Sequence, residues 1–203
     1  LQSLDNLADF IDVLVLVRVR FDSEVDRLVR KFRLANKPIL FDLDDHIFDL
    51  NSTALLVASL NQGLTRHGRI EKWTGVVGRI RQSVALVDGV ITTTEFLANQ
   101  LRQSFDLPVA VVPNFLNREQ WDYSASLRKE SLSPEAPVIG YFSGSPSHNR
   151  DYQIAEDGLR AVLEEYPDSR LRIAGYLDVP DSLQPYGHRI DRLPFMDFLG
   201  LQR

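Results

Sequence analysis

The stretch Pro137–Asp151, PVIGYFSGSPSHNRD, carries residue types that can hold a phosphate. Ser143, Gly144 and Ser145 form a small-residue loop after the apolar run Val138-Ile139-Gly140-Tyr141-Phe142. His148 and Arg150 follow as cationic donors, and Asn149 is placed to cap a helix. A strand, a glycine-bearing loop and a helix start bind anions because open backbone N–H groups and the helix dipole point into the loop. An ordinary βα turn shows the same pattern, so the surrounding elements must carry the argument.

A second group is Asp42-Leu43-Asp44-Asp45-His46-Ile47-Phe48-Asp49. Its Asp-x-Asp resembles the first motif of haloacid-dehalogenase-like phosphohydrolases, with Asp42 as nucleophile and Asp44 as general acid. That resemblance is partial. His46 stands where that family has Thr or Val, and Asp178 and Asp181 lack the context of its magnesium pair. A strand-end carboxylate capping a loop accounts for Asp42 equally simply. The four histidines, His46, His67, His148 and His188, show no metal-ligand spacing, so no metal site is expected. No Gly-x-Ser-x-Gly elbow, Walker A sequence or Gly-x-Gly-x-x-Gly is present. Arg66–Arg81 sets five basic residues against Glu71 and includes Trp73, the composition of a helix that leans on an anionic membrane surface or simply shows a solvated cationic side.

Elements that position these groups alternate along the chain. Asp12–Arg20 reads as a strand buried on both faces, and Pro38–Leu43 as a second. Between them a helix with Val25, Leu28, Val29 and Phe32 on one face opens at a Ser23/Asp26 capping box and ends at Asn36. Ile70, Trp73, Val77, Ile80, Val84 and Val87 recur at helical spacing. Val90–Thr93 and Val109–Val112 are further strands, flanking a helix Glu95–Ser104 with Thr92 at its capping box. Arg118–Ala136 is polar and aperiodic and reads as a linker. Past the opening stretch, a helix carries Ala155, Leu159, Val162 and Tyr166, followed by strands at Leu171–Ala174 and His188–Leu193. The reading is α/β: 1–118 as a first Rossmann-like domain, 119–136 as linker and 137–203 as the start of a second, with parallel-sheet halves facing a cleft. Ligands in open parallel sheets sit at the carboxyl ends of strands, where Ser143–Arg150, Gly175, Asp44–Asp49 and Asn114 all fall.

The chain has 203 residues, a formal charge of -5, 44% hydrophobic content and no cysteine. The charge speaks against a nucleic-acid partner. The cysteine count excludes disulfides and a thiol nucleophile and agrees with a cytoplasmic setting.

Three landmarks carry a resemblance. Asp88–Leu97 (DGVITTTEFL) looks like the strand-Thr-Glu-helix segment of glycosyltransferases. Val111–Asn117 (VVPNFLN) is similar to the Val-x-Pro-Asn segment that closes their first domain. Val138–Asp151 resembles the first strand and donor-side loop of their second domain, with Leu171–Gly175 following. In this order they resemble GT-B glycosyltransferases, the retaining family 4 above all, and the chain resembles a central piece of one. The resemblance implies a metal-independent transfer of a sugar from a nucleotide sugar to a glycan or lipid-linked acceptor, in surface polysaccharide or glycan synthesis, with a non-catalytic GT-B-like binding module as the alternative. No separate cofactor is implied. Ser143, Gly144, Ser145, His148, Arg150 and Gly175 would hold the donor diphosphate, and Asp44, Asp45, His46 and Asn114 would face the acceptor. The family's Glu-x7-Glu element would lie past Arg203 and its glycine-rich acceptor loop before Leu1. Location would be cytoplasmic, with contact at the inner face of the membrane through Arg66–Arg81.

Overall fold

A computed structural model describes residues 6–59, 66–128, 136–144, 149–197 and 199–202. These fall into two compact units, one holding residues up to 57 with 66–115, the other running from 116 onward.

The first unit begins with a helical turn, α1 (Leu7–Phe10), and then alternates β1 (Leu14–Val17), α2 (Ser23–Leu34), β2 (Ile39–Asp42), α3 (Thr53–Ser59), α4 (Arg66–Val84), β3 (Gly89–Thr92), α5 (Glu95–Ser104) and β4 (Val109–Val111). The strands pair in parallel in the order β1-β2-β3-β4. Each crossover advances one strand in the same direction. Right-handed crossovers laid that way put every helix on one face of the sheet. Burial agrees: Leu14, Leu16, Ile39, Phe41 and Val90 join Val29 and Phe32 of α2, Ile80 and Val84 of α4 and Leu101 of α5 in one core. The opposite face is uncovered, with Val15 at 42% and Val17 at 58% exposure. Among the described residues β1 is therefore covered on one side, where a strand buried on both is expected. A run of valines reports strand propensity, while the number of covered faces follows from strand order.

Helix ends differ by a residue or two from the spacing-based expectation. Asp22, not Ser23, caps α2, its carboxylate accepting from the N–H groups of Glu24 and Val25. Thr94, not Thr92, caps α5 through its hydroxyl and the Leu97 N–H. Thr92 is buried and its hydroxyl donates to the Leu43 carbonyl at 2.7 Å, pinning the end of β2 to β3. Asn36 does end α2, at φ +53°, with the Lys37 N–H closing on the Phe32 carbonyl. In α4, Val76, Val77, Ile80 and Val84 face the core and Trp73 packs against it half-buried. Arg81 turns inward over the Phe105 ring.

The second unit starts with a helix, α6 (Arg118–Arg128), where the sequence reads as an irregular linker. Trp121 is 63% exposed, so α6 has no buried stripe to betray it. Then come β5 (Val138–Ser143), α7 (Asn149–Glu165), β6 (Arg170–Gly175), a 3-10 segment Asp181–Arg189 and β7 (Ile190–Leu193). These strands are parallel in the order β5-β6-β7, again with one direction of advance. α7 buries Tyr152 and Leu163, with Leu159 half-buried, whereas Ala155 and Tyr166 are exposed. The inward stripe is rotated from the expected one because Tyr152 in the first turn stacks edge-on with Tyr141 of β5, centroids 4.8 Å apart. β5 alternates, with Phe142 57% exposed, and is not a doubly buried strand. On the same open face Arg170 and Arg172 pair with Asp191. The Arg170 hydrogen bond, against the pull of burial and with Arg172 adding to it, holds the Asp191 carboxyl below its ordinary range.

Tyr152 is fully buried and its hydroxyl has no hydrogen-bond partner among the described residues. Burial, then Glu156 and Tyr141, push its phenol up to about 12. An orphaned buried hydroxyl costs roughly 1–3 kcal/mol, whereas an apolar group of the same shape costs nothing comparable. Tyr152→Phe is therefore expected to stabilise the chain by about 1 kcal/mol. A urea midpoint that stays put or falls shows instead that a water satisfies the hydroxyl.

Candidate functional site

In each unit the polar and glycine residues gather at the carboxyl ends of the strands. In the second unit β5 and β6 end in register at Ser143 and Gly175. Gly175 takes φ +92°, and a Cβ there would lie 2.0 Å from the Ser143 carbonyl oxygen. That oxygen also accepts the Tyr176 N–H at 3.1 Å. Glycine is what allows the two strand ends to close on each other. Beyond them Phe142, Ser143, Gly144, Gly175, Phe195 and Met196 line a pocket of about 70 Å³. This has room for a small group and falls well short of the roughly 300–1,000 Å³ of a whole ligand site. Tyr176 and Phe195 stack beside it, centroids 5.4 Å apart and both half-exposed.

Ser143, Gly144 and Gly175, expected at one strand edge, are thus brought together. Ser145 and His148 lie outside the described residues. Arg150 has its backbone in the first turn of α7, and its side chain is likewise outside them. The start of a helix carries a positive partial charge suited to an anion.

In the first unit the loop after β2 carries Asp44, Asp45 and His46. Arg18, just past β1, pairs with both carboxylates, at 3.3 Å to Asp44 and 2.6 Å to Asp45. The His46 ring meets Phe48 edge-on at 4.9 Å and Phe96 at 6.2 Å. Asp49 ends the loop: burial works upward on its carboxyl, but hydrogen bonds from Ser52 and the Asn51 N–H outweigh it and hold the group below its ordinary value. Asn114 is exposed just past β4. Among the described residues no three His, Asp or Glu side chains converge as metal ligands. Asp178 and Asp181 belong to the other unit from Asp42 and Asp44.

Spacing alone missed Arg18, Tyr176 and Phe195. Arg18 and Tyr176 were in principle findable, since each is the first residue past a strand end. Phe195 follows β7 by two residues and shows itself only through its partner. The outward side of α4 shows His67, Glu71, Lys72, Thr74 and Arg79, and its apolar residues are spent on the core. Among the described residues no helix is long and apolar enough to cross a membrane.

No protein-family model and no curated protein sequence matches the chain. Solved structures do. A crystal structure of Anabaena HepE with UDP superposes at a TM-score of 0.56 and 14% identity, over 98% of this chain and 52% of that one. A variant of S. aureus TarM, in complex with UDP, α-GlcNAc-glycerol and fondaparinux, gives 0.51 and 11% over 95% and 36%. Phytolacca americana UGT2, complexed with UDP-2-fluoro-glucose and pterostilbene, gives 0.50 and 13% over 97% and 50%. The likeness shows the fold, that of the GT-B glycosyltransferases, as two parallel-sheet α/β units. The chain spans about half the length of HepE and UGT2 and about a third of TarM.

Proposed function

We propose that this chain is part of a glycosyltransferase that uses a nucleotide sugar as donor. The observation that carries the reading is the joining of Ser143, Gly144 and Gly175 around one pocket at the strand edge, with the start of α7 next in the chain. The fold shared with UDP-bound HepE and TarM supports it. Sugar transfer from such a donor must stabilise a departing diphosphate. Backbone N–H groups, a helix start and Arg150 do this by preorganised charge, without a metal ion. His148 and Ser145 adjoin the same loop in sequence. Within GT-B enzymes the residue pattern resembles the retaining family 4, with the Asp44–His46 loop and Asn114 toward the acceptor. The acceptor class we assign is a glycan or a lipid-linked glycan, made on the cytoplasmic side. Contact with an anionic membrane through Lys72, Arg79 and their neighbours on α4 would be electrostatic, since the helix has no outward apolar stripe.

Calorimetry with UDP tests this. Saturable binding of equal strength in EDTA and in magnesium is expected. Arg150→Ala is expected to weaken it by about 1–3 kcal/mol, the usual loss for a charged hydrogen bond. Binding that appears only with magnesium, together with magnesium-dependent hydrolysis of p-nitrophenyl phosphate that Asp42→Asn abolishes, would replace this reading with a phosphohydrolase.

A further inference from the structure

The edge of the first sheet already holds a cation. Arg18 follows β1 directly and takes φ +51°. That left-handed conformation strains a residue with a Cβ and does not strain glycine. Its N–H donates to the Asp42 carbonyl at 3.1 Å, extending the β1–β2 pairing by one step. From there its guanidinium reaches both carboxylates of the next loop, with Nη1 3.3 Å from Asp44 Oδ1 and Nη2 2.6 Å from Asp45 Oδ2. Asp44 Oδ1 is out of solvent and lacks a hydrogen bond among the described residues, where its charge is answered by the ion pair with Arg18. Two residues on, His46 Nε2 is also out of solvent and makes no hydrogen bond among the described residues. A buried polar atom of this kind calls for an explanation.

We propose that Arg18 is the resident cation of this edge: its guanidinium occupies the place between Asp44 and Asp45 that a divalent ion would need, and so fixes the loop that presents His46. Arg18 is a positioning residue. A forked guanidinium serves two carboxylates at once and is weakly hydrated, so it is held there without the cost of stripping water from a small ion. A divalent ion competing for the same oxygens is repelled by a fixed positive charge a few ångströms away. The inference does not rest on the glycosyltransferase reading, because it concerns which cation the carboxylates hold.

Manganese alone is the probe. It is titrated into the wild type, Arg18→Gly, Arg18→Lys and Arg18→Gly/Asp45→Asn, followed by electron paramagnetic resonance, with the His46 ring read by NMR. The wild type and Arg18→Lys are expected to show no saturable Mn²⁺ site at this edge. Arg18→Gly is expected to bind Mn²⁺ about tenfold tighter or more, as removal of a neighbouring like charge dictates, and to broaden the His46 signals. Adding Asp45→Asn is expected to abolish the gain. Without metal, the His46 signals shift in Arg18→Gly and return toward wild type in Arg18→Lys. A contact that served packing alone would give no metal gain. Wild-type binding as tight as that of Arg18→Gly, or no gain in Arg18→Gly, overturns the proposal. If Arg18→Gly loses its fold by circular dichroism, wild type is titrated against Asp44→Asn/Asp45→Asn. Equally weak Mn²⁺ binding by the two supports a resident cation, and a site lost with the carboxylates overturns it.

Discussion

Gly175→Ala is expected to destabilise the chain by about 3–5 kcal/mol, enough to unfold the second unit at moderate temperature. Two independent costs meet at this position. The backbone sits at φ +92°, where an L side chain is strained, and the added Cβ would fall 2.0 Å from the Ser143 carbonyl oxygen. That oxygen cannot swing aside freely, because it accepts the Tyr176 N–H and closes the β5–β6 ladder. The neighbour that would have to move is backbone, so the cost exceeds ordinary overpacking of a flexible side chain. A thermal melt followed by circular dichroism reads the effect. A variant melting within about a degree of wild type would show that the strand ends are not closed in this way. UDP binding should fall with it, since Ser143, Gly144 and Gly175 line one pocket.

The second large effect is expected at Arg189. Its guanidinium gathers four backbone carbonyls where α7 ends and the chain turns into β6. Nη1 donates to Tyr166, Pro167 and Ser169 at 3.0, 2.8 and 3.3 Å, and Nη2 to Leu163 at 2.5 Å. The group also lies over the Tyr186 ring, 5.3 Å from its centroid. A helix leaves its last carbonyls without partners and carries partial negative charge there, so one cation answers both needs. Arg189→Ala removes these donors at once, leaving only Tyr166 of the four carbonyls with the Ser169 N–H and hydroxyl, and is expected to cost about 2–4 kcal/mol, given roughly 1.5–3 for a charged hydrogen bond and part exposure of this one. Arg189→Lys should recover only a minor part, because an ammonium cannot reach carbonyls on both sides of the turn. Urea unfolding gives the total. Hydrogen exchange in the last turn of α7 locates it, and unchanged protection there would refute the clamp.

Much of the fold was legible because several strands are short apolar runs bounded by Gly, Pro, Asn or Asp. Asp88 before β3 and Pro113-Asn114 after β4 are such stops. Helix starts were less legible. Ser23 and Thr92 have capping-box spacing, but Asp22 and Thr94 have the extended backbone that lets a side chain reach back to the first N–H groups. The helix α6 escaped notice because periodicity detects burial, and Trp121 on it is exposed. Ser143, Gly144 and Gly175 could be grouped in advance, since parallel strands end on the same edge. The pairing of Arg18 with Asp44 and Asp45 could not. It depends on β1 and β2 being neighbours and on a backbone angle that nothing in the residue type announces.

The order of the strands also bears on how the chain acquires its shape. In both sheets every strand pairs with the one made just before it, β2 with β1, β3 with β2, β4 with β3, and likewise from β5 to β7. No described strand has to wait, unpaired and exposed, for a partner that lies far downstream. A doubly wound sheet whose first strand ends in the middle must hold an open edge until later strands arrive. Here the contacts within each sheet are as local in sequence as a parallel arrangement permits, which lowers the loop-closure entropy that slows parallel sheets. Each βα unit can dock on the edge left by its predecessor as it leaves the ribosome, so both sheets can grow from their N-terminal edges in the direction of synthesis.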